Sequence, residues 1–234
     1  MGNPGSGKVF DASSRARANM TETMLSEKGR QLIEMYKHMA ANGYDRVDGS
    51  HVEVAYNNFE IRKFRTRLRP LFAEHGIETL LDYGSGGADW EGAGFDTNTG
   101  LSAKAYFGLT GVIWYEPARD LDERRSADCV VSFDVLEHIF ISDIPIITRE
   151  LFSYAGKLII VNVAGYEAAA KLPNGVNAHA TVRPPRWWKN LFDCISIEFP
   201  DASVCLICST SSNKATMFPI WRADSWLTDD GFEV

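Results

Sequence analysis

An acidic, histidine-bearing turn at residues 132–139, SFDVLEHI, holds the side chains best suited to chemistry in this chain. It follows an apolar run at residues 128–133, which is typical of a buried strand. If a helix begins near Asp134, then Asp134, Glu137 and His138 stand at i, i+3 and i+4 and share one helix face. Two carboxylates and an imidazole suit a divalent cation such as Mg²⁺ or Mn²⁺. The spacing therefore predicts a metal site at this turn.

His138 permits three interpretations. It is a metal ligand, a general base, or a helix-capping residue without chemistry. An imidazole has an ordinary pKa of about 6.5, so His138 would be a workable base at neutral pH. We therefore assign the candidate catalytic roles to His138 and Asp134, and the three interpretations stay open.

A second candidate site is the glycine-rich turn in LLDYGSGG, residues 80–87. The apolar residues before it predict a buried strand, with Asp82 at the carboxyl end. Glycines at such a junction let the backbone turn tightly and approach a ligand closely, and open α/β sheets bind ligands in that crevice. The N–H groups of Gly84, Ser85 and Gly86 are candidate donors to a ligand, helped by the N-terminus of a following helix. The same pattern also suits an ordinary tight turn.

Together, these two stretches resemble the class I S-adenosylmethionine-dependent methyltransferases. LLDYGSGG is similar to the first motif of that family, and SFDVLEHI is similar to the motif after its fourth strand. WYEPA, residues 114–118, resembles the end of the family's second strand, where an acidic residue meets the ribose of the cofactor. The resemblance covers residues 78–210. Within it, residues 172–188, LPNGVNAHATVRPPRWW, are similar to a bacterial and phage-associated subgroup.

The resemblance implies that S-adenosylmethionine is the cofactor and that the acceptor is a small molecule or a glycan-like compound, methylated at oxygen or nitrogen. In that case Glu116 accepts the ribose hydroxyls, and Asp82 orients the loop or the ammonium group of the cofactor. The full set of implied cofactor contacts is Asp82, Gly84, Ser85, Gly86, Glu116, Ser132 and Phe133.

Similar E-x-x-E-H helices hold a metal in ubiquinone-pathway O-methyltransferases and in small-RNA 2′-O-methyltransferases. The RNA enzymes add a later histidine, which implies that His179 joins Asp134, Glu137 and His138 as a ligand. This chain has Asp134 at the first position, and its shorter side chain reduces the reach. Two alternative functions follow. One is a metal-assisted RNA 2′-O-methyltransferase that uses the basic segment at residues 62–69, and the other is a non-catalytic binding module that retains the cofactor fold.

The charge and composition limit these alternatives. The chain has 24 basic and 31 acidic residues and a net charge of −7, which argues against a general nucleic-acid binder. The basic segment at residues 62–69 is then either a contact for an anionic ligand or a solvated helix face. No signal peptide or long apolar span is visible, so we expect a cytoplasmic protein that does not cross a membrane.

Four cysteines are present: Cys129, Cys194, Cys205 and Cys208. Cys205 and Cys208 form a C-x-x-C, but they lie in an apolar run that is typical of a strand. A structural zinc site would need a second pair, and none exists in the sequence. We therefore interpret the cysteines as reduced core residues.

The order of apolar segments predicts an α/β fold, with a Rossmann-like, mostly parallel sheet whose last strand runs antiparallel. Two amphipathic helices, at residues 21–41 and 58–74, should cover it, although Pro70 lies inside the second. Only eleven residues separate Glu116 from Asp128, too few for a full helix and strand, so the third strand should be reduced.

The remaining elements are assigned from apolar periodicity and turn residues. We predict helices at residues 143–154, 168–172 and 184–192, and strands at residues 157–163, 194–199 and 203–209. Residues 88–111 are expected to form an inserted loop over the cofactor. The predicted domain organisation is a disordered tail at 1–19, a single methyltransferase domain at 20–210 with a helical cover at 20–76 and a cofactor-binding core at 77–210, and a C-terminal tail at 211–234.

Overall fold

Helices cover both faces of one eight-stranded mixed sheet, so the protein has an α/β fold. The computed structural model describes residues 24–56, 59–221 and 231–234. The tail predicted at residues 1–19 lies outside these ranges. None of the helices within them is long and apolar enough to span a membrane.

The chain alternates between helices and strands, with a small hairpin near the start. The strands are β1 Tyr44–Asp45, β2 His51–Val52, β3 Thr79–Tyr83, β4 Gly111–Glu116, β5 Leu121–Asp122, β6 Ala127–Phe133, β7 Ala155–Ala164, β8 Ser203–Ser211, β9 Lys214–Trp221 and β10 Phe232–Glu233. The helices are α1 Glu27–Asn42, α2 Ile61–Glu74, α3 Ala103–Phe107, α4 Ile144–Tyr154 and α5 Pro185–Ser196. Single 3₁₀ turns follow β4 at Pro117–Arg119 and β6 at Leu136–His138.

The strand order in the large sheet is β10-β9-β8-β7-β6-β3-β4-β5. The five central strands, from β8 to β4, run parallel, and the outer strands β5, β9 and β10 run antiparallel to their neighbours. This arrangement is compatible with a Rossmann-like fold. The chain leaves β3 for β4 on one side and then returns to place β6 on the other side. Beside β3 the winding therefore reverses, and such a switch point forms a crevice at the carboxyl ends of the strands.

The core has one layer on each face of the sheet. Helices α4 and α5 pack on one face against residues such as Val130 and Val161, and α2 and α3 pack on the other against residues such as Leu80 and Val131. Strand β7 is buried without interruption from residue 158 to residue 164. A continuous apolar strand of this kind is expected where both faces are covered, and it explains why β7 was predicted from sequence.

Helix α1 is fixed at its start to the beginning of α4. The N–H and hydroxyl of Ser26 donate to the Asp143 carboxylate over 2.9 and 2.7 Å, and the Ser26 hydroxyl accepts from the N–H of Gly29. A Cβ at Gly29 would lie 2.0 Å from Asp143 Oδ2, so a larger residue there would displace the carboxylate that Ser26 contacts. The helix ends at Gly43, whose φ of +77° favours glycine. These contacts hold α1 over the crevice end of the sheet.

Four predicted segments differ from the structure. Residues 88–111 are not all loop, because Ala103–Phe107 form α3, and residues 211–234 are not simply a tail, because Lys214–Trp221 and Phe232–Glu233 are strands β9 and β10 of the large sheet.

Residues 194–199 are not a strand, because α5 continues to Ser196 and buries Trp188, Phe192 and Ile195 at helical spacing. Residues 168–172 are not a helix, because their backbone is paired with the hairpin near the start of the chain: the Ala169 carbonyl accepts the N–H of Val47 and the N–H of Lys171 donates to the Asp45 carbonyl, both over 2.8 Å. They form single β-bridges with residues 46 and 177 instead.

Candidate functional site

The candidate site lies where the carboxyl ends of β3, β4 and β6 meet. Glu116, at the end of β4, accepts the N–H of Gly86 through Oε2 over 2.7 Å. On the other side of β3, a Cβ at Gly84 would lie 2.4 Å from Cγ2 of Val135, which follows β6. The glycine turn, the acid of WYEPA and the SFDVLEHI turn therefore form one continuous surface.

All four backbone N–H groups of the glycine turn, residues 84–87, donate hydrogen bonds to acceptors within the chain. In order, Gly84 and Ser85 donate to the carbonyl of Tyr115, Gly86 to the carboxylate of Glu116, and Gly87 to the carbonyl of Tyr56, over 2.8, 3.0, 2.7 and 2.8 Å. Residues 88–102, all of which are described, contain no helix, so the expected helix N-terminus is absent there. A ligand group at this turn must therefore replace an existing acceptor.

Gly86 is required by the close approach of Tyr56. Gly86 has φ +54°, and a Cβ there would lie 3.0 Å from the Tyr56 carbonyl oxygen. Tyr56 also has a positive φ, of +59°, and its hydroxyl donates to the carbonyl of Tyr36 over 3.3 Å. Nothing in the sequence around Tyr56 indicates this contact, and sequence reasoning missed it.

Asp82 and Glu116 are two buried carboxyl groups in the crevice. Burial raises the pKa of Asp82 to about 7; the hydrogen bond from Trp90 Nε1, of 2.7 Å, opposes this rise, and nearby Glu116 adds to it. Burial also raises the pKa of Glu116, against the effect of the N–H groups of Ala118 and Gly86. Such a pair favours a positively charged ligand, whose charge would stabilise both ionised carboxylates.

The two other predicted cofactor residues differ in position. Ser132 is fully buried, and its hydroxyl has no hydrogen-bond partner among the described residues. By strand alternation its side chain lies on the same face as Val130, in the core beneath α4. Phe133 is half-buried on the opposite face, with its ring 6.3 Å from that of Phe64. The Ser132 side chain therefore does not reach the crevice.

The helix predicted from Asp134 is absent. Asp134 has φ +60°, in the left-handed region, and only Leu136–His138 form a 3₁₀ turn. The i, i+3, i+4 argument for a shared helix face is therefore wrong. Asp134 still lies near His138, because the left-handed residue turns the chain back over the end of β6.

Glu137 lies beneath this surface, with its carboxyl group beside that of Asp134. It is fully buried, and its Oε1 accepts the N–H of Ala164, whereas its Oε2 has no partner in the described ranges. Burial, together with the charge of neighbouring Asp134, raises the pKa of Glu137 well above its usual range. Its own carbonyl accepts the N–H of Thr181 over 2.8 Å. Glu137 thus links the 3₁₀ turn to β7 and to the loop that carries His179.

His138 is held by α1 and by the loop before α5. Its Nδ1 lies 3.0 Å from the Tyr36 hydroxyl and 3.1 Å from the carbonyl oxygen of Ala178, to which that hydroxyl donates over 2.6 Å. Because a carbonyl oxygen only accepts, this environment favours a proton on Nδ1 and a lone pair on Nε2. Burial and the adjacent His179 lower the pKa of His138 to about 4, against the effect of Asp134. The ring is therefore neutral at pH 7, although a base of this pKa is weak.

His179 is positioned by the NAHAT segment. Its N–H donates to Oδ1 of Asn177 over 3.0 Å, and the Asn177 amide also exchanges two hydrogen bonds with the backbone of Ala168. Nδ1 of His179 contacts the carbonyl oxygen of Tyr166, so it too carries the proton. Asn177 was not identified from sequence, although its position in the same motif as His179 is a usable signal.

The structure brings Asp134, His138 and His179 together. One ligand atom from each lies within 4.8 Å of the other two, and the two imidazole rings meet edge to face at 4.8 Å between centroids. The residues present therefore fit a divalent cation. Glu137, the fourth predicted ligand, is not part of this cluster.

The basic segment of α2 is largely engaged within the chain. Arg65 pairs with Asp96, Lys63 pairs with Glu60, Arg62 stacks on Phe95, and Arg69 stacks on Tyr106. The four cysteines are free, and Cys205 and Cys208 are buried on opposite faces of the sheet, whereas Cys194 is exposed, so the prediction of a core residue is wrong there. Comparison with protein-family models, curated proteins and solved structures finds no match to this chain.

Proposed function

We propose that the protein transfers the methyl group of S-adenosylmethionine to an oxygen or nitrogen of a small-molecule or glycan-like acceptor. The observation that carries the proposal is the meeting, at one switch point, of a glycine turn, a buried acid and a histidine-bearing turn. In α/β sheets this is where cofactors bind. The sequence resemblance supplies the identity of the cofactor.

The charge of the crevice supports a cationic cofactor. S-adenosylmethionine carries a sulfonium and an ammonium group, and either would stabilise the ionised forms of Asp82 and Glu116. Each oxygen of Glu116 accepts one N–H, from Gly86 or Ala118, and keeps a second lone pair. Glu116 can therefore accept the ribose hydroxyls without losing its hold on the glycine turn.

His138 and Asp134 lie on the acceptor side of the crevice. In the proposed reaction a lone pair of the acceptor atom attacks the methyl carbon, the bond from carbon to sulfur breaks, and sulfur keeps the electron pair. Nε2 of His138 takes the acceptor's proton, and Asp134 stabilises the imidazolium that forms. Because His138 is a weak base, most of the rate enhancement must come from the orientation of the two substrates.

The surroundings favour a small acceptor over RNA. The rings of Tyr36 and Tyr166 lie 5.3 Å from His138 and 6.0 Å from His179, and such half-buried aromatic side chains suit a sugar or another compact acceptor. The RNA alternative needs free basic side chains, but four basic residues of α2 already engage acids or aromatic rings. The non-catalytic alternative leaves the His138–His179 pair without a role.

Calorimetric titration with S-adenosylmethionine and with its demethylated product tests the proposal. We expect both to bind and to raise the melting temperature, whereas adenosine triphosphate, which is anionic, should not. Absence of heat and of a thermal shift with either ligand would contradict the proposal.

The acceptor is then sought by incubation with isotopically labelled cofactor and pools of small metabolites and oligosaccharides. His138→Ala should slow labelling roughly tenfold or more while cofactor binding is retained. The matched control is His38→Ala, an exposed histidine on α1, which should leave labelling unchanged.

A further inference from the structure

We infer that Asp134, His138 and His179 bind one divalent first-row transition-metal ion, and that Tyr36 positions His138 for this role. The site binds Mn²⁺, Co²⁺ or Fe²⁺ more tightly than Mg²⁺. The inference replaces the four-ligand, Mg²⁺-compatible set predicted from sequence. It does not depend on the proposed methyl transfer, because metal binding is measured on the chain alone. In the metal-bound chain Nε2 of His138 would be a ligand and could not take the acceptor's proton, so the base role proposed above applies to the metal-free chain.

The ligand atoms are already close enough to share an ion. All three lie within 4.8 Å of one another, and two ligands of one ion at about 2.1 Å each cannot be farther apart than about 4.2 Å. Small side-chain rotations therefore complete the site. The three ligands come from two loops, one after β6 and one before α5, and the 2.8 Å bond from Thr181 N–H to the Glu137 carbonyl ties these loops together.

Both histidines present the correct nitrogen. Nδ1 of His138 faces the carbonyl of Ala178, and Nδ1 of His179 faces the carbonyl of Tyr166. Metal-binding histidines commonly donate one ring N–H to a carbonyl or carboxylate, which fixes the tautomer and leaves the other nitrogen for the metal. Two independent imidazoles with this arrangement, beside one carboxylate, are difficult to explain as core packing.

Tyr36 completes the support of His138 from α1. Its hydroxyl contacts both Nδ1 of His138 and the carbonyl of Ala178, and its ring meets the imidazole edge to face at 88°. A ring held on this side cannot flip without breaking the contact to Tyr36. Tyr36 therefore acts on the metal only through His138 and is a positioning residue.

The donor set selects the metal. Two imidazole nitrogens and one carboxylate oxygen, with open positions beyond them, suit Mn²⁺, Fe²⁺ and Co²⁺, whereas Mg²⁺ prefers oxygen ligands. Glu137 would supply the second oxygen that favours Mg²⁺, but its Oε1 accepts the N–H of Ala164, and it lies outside the set of residues whose ligand atoms are within 4.8 Å of one another. The proposed ion would thus have three protein ligands, Asp134, His138 and His179, and coordination positions left for other ligands.

The experiment titrates the full metal-free chain with Co²⁺ alone, followed by visible absorption and calorimetry, and repeats the titration with Mn²⁺ and Mg²⁺. We expect one Co²⁺ per chain and at least tenfold weaker binding of Mg²⁺. His138→Ala and His179→Ala should each weaken Co²⁺ binding at least tenfold, and His38→Ala should not. No binding, or equal binding by the His138→Ala and His38→Ala variants, overturns the inference.

Two further variants test the details. Glu137→Gln should keep the Co²⁺ affinity within about threefold, and a tenfold loss would restore the four-ligand set. Tyr36→Phe should weaken Co²⁺ binding about tenfold, the effect expected for loss of an orienting partner, and should alter the Co²⁺ absorption spectrum. Tyr44→Phe is the matched control. Nitrogen NMR of the metal-free protein gives a readout without metal or cofactor: protonation of His138 at Nε2 instead of Nδ1 would contradict the assignment of Tyr36.

Discussion

Gly84 and Val135 lie so close together that a Cβ on Gly84 would come within 2.4 Å of a Val135 methyl group. Gly84 also has φ +84°, in the region that disfavours other residues. We expect Gly84→Ala to lower the free energy of unfolding by about 2–5 kcal/mol, the sum of backbone strain and overpacking. Urea denaturation measures the loss.

Gly108→Ala is the matched control for this variant. Gly108 has φ +74°, but a Cβ there would meet nothing within 4 Å. We expect Gly108→Ala to lower the free energy of unfolding by about 1–2 kcal/mol, from backbone strain alone. The double variant Gly84→Ala/Val135→Ala should recover part of the first loss. Equal losses at the two glycines would show that the contact with Val135 is unimportant.

Glu116 should affect stability before any ligand is added. Its two oxygens accept the N–H groups of Gly86 and Ala118 over 2.7 and 2.9 Å. We expect Glu116→Ala to cost about 1–3 kcal/mol, because two buried donors lose their acceptor. Cofactor affinity should fall by a further 1.5–3 kcal/mol or so, the range for hydrogen bonds to a charged group. Melting curves with and without cofactor separate the two effects, and an unchanged melting temperature without cofactor would contradict the first.

Asp128 should make stability depend on pH in the acidic range. Partial burial acts to raise its pKa, but the Lys157 ion pair and hydrogen bonds from Thr79 and Glu78 lower it to about 2. A carboxyl with a lowered pKa stabilises the fold above its unfolded value of about 4, and this contribution is lost as pH falls toward 2. Asp128→Asn should therefore destabilise the protein at pH 6 but much less at pH 2.5. Denaturation at both values tests this, and a difference that is constant with pH would refute it.

Arg124 forms a buried network with Glu150. Its Nη1 donates to Glu150 over 2.8 Å, and its guanidinium lies 3.9 Å from the centre of the Tyr115 ring. Arg124→Ala should cost about 3–5 kcal/mol, because it leaves a buried carboxylate without its cation. Arg125→Ala, at the exposed neighbouring position, should change stability by less than about 0.5 kcal/mol. Comparison of their unfolding free energies measures the difference.

Much of the sheet could be predicted because its strands are continuous apolar runs. β7 and β8 stand out for this reason, and Gly43 marks the end of α1 by its conformation. The prediction failed at residues 194–199, where the apolar pattern of Cys194, Ile195 and Ile197 also suits a strand. The conformation of that segment is set by the helical turns that precede it in α5. A short apolar run alone does not distinguish a strand from the end of a helix.

The sequence predicted which residues come together at the candidate site, but it did not predict the backbone geometry that brings them together. Asp134, His138 and His179 do meet, but through a left-handed residue and a 3₁₀ turn rather than along a helix face. Positive φ at a non-glycine residue depends on surrounding contacts, so the sequence alone did not indicate it. Only the fold shows that the hydroxyl of Tyr36, on α1, reaches His138.

The placement of β3 beside β6 has a consequence for biosynthesis. Thr79 in β3 bonds with Asp128, which lies 49 residues later in the chain. At roughly 5–20 residues per second, a ribosome needs about 2.5–10 s to add those residues. During that interval the apolar side chains of β3 lack the neighbour that completes the centre of the sheet. The nascent chain is therefore exposed to aggregation and to chaperone binding until β6 emerges. Synonymous codon substitutions that slow translation between residues 84 and 127 should lower the soluble yield without changing the stability of the finished protein.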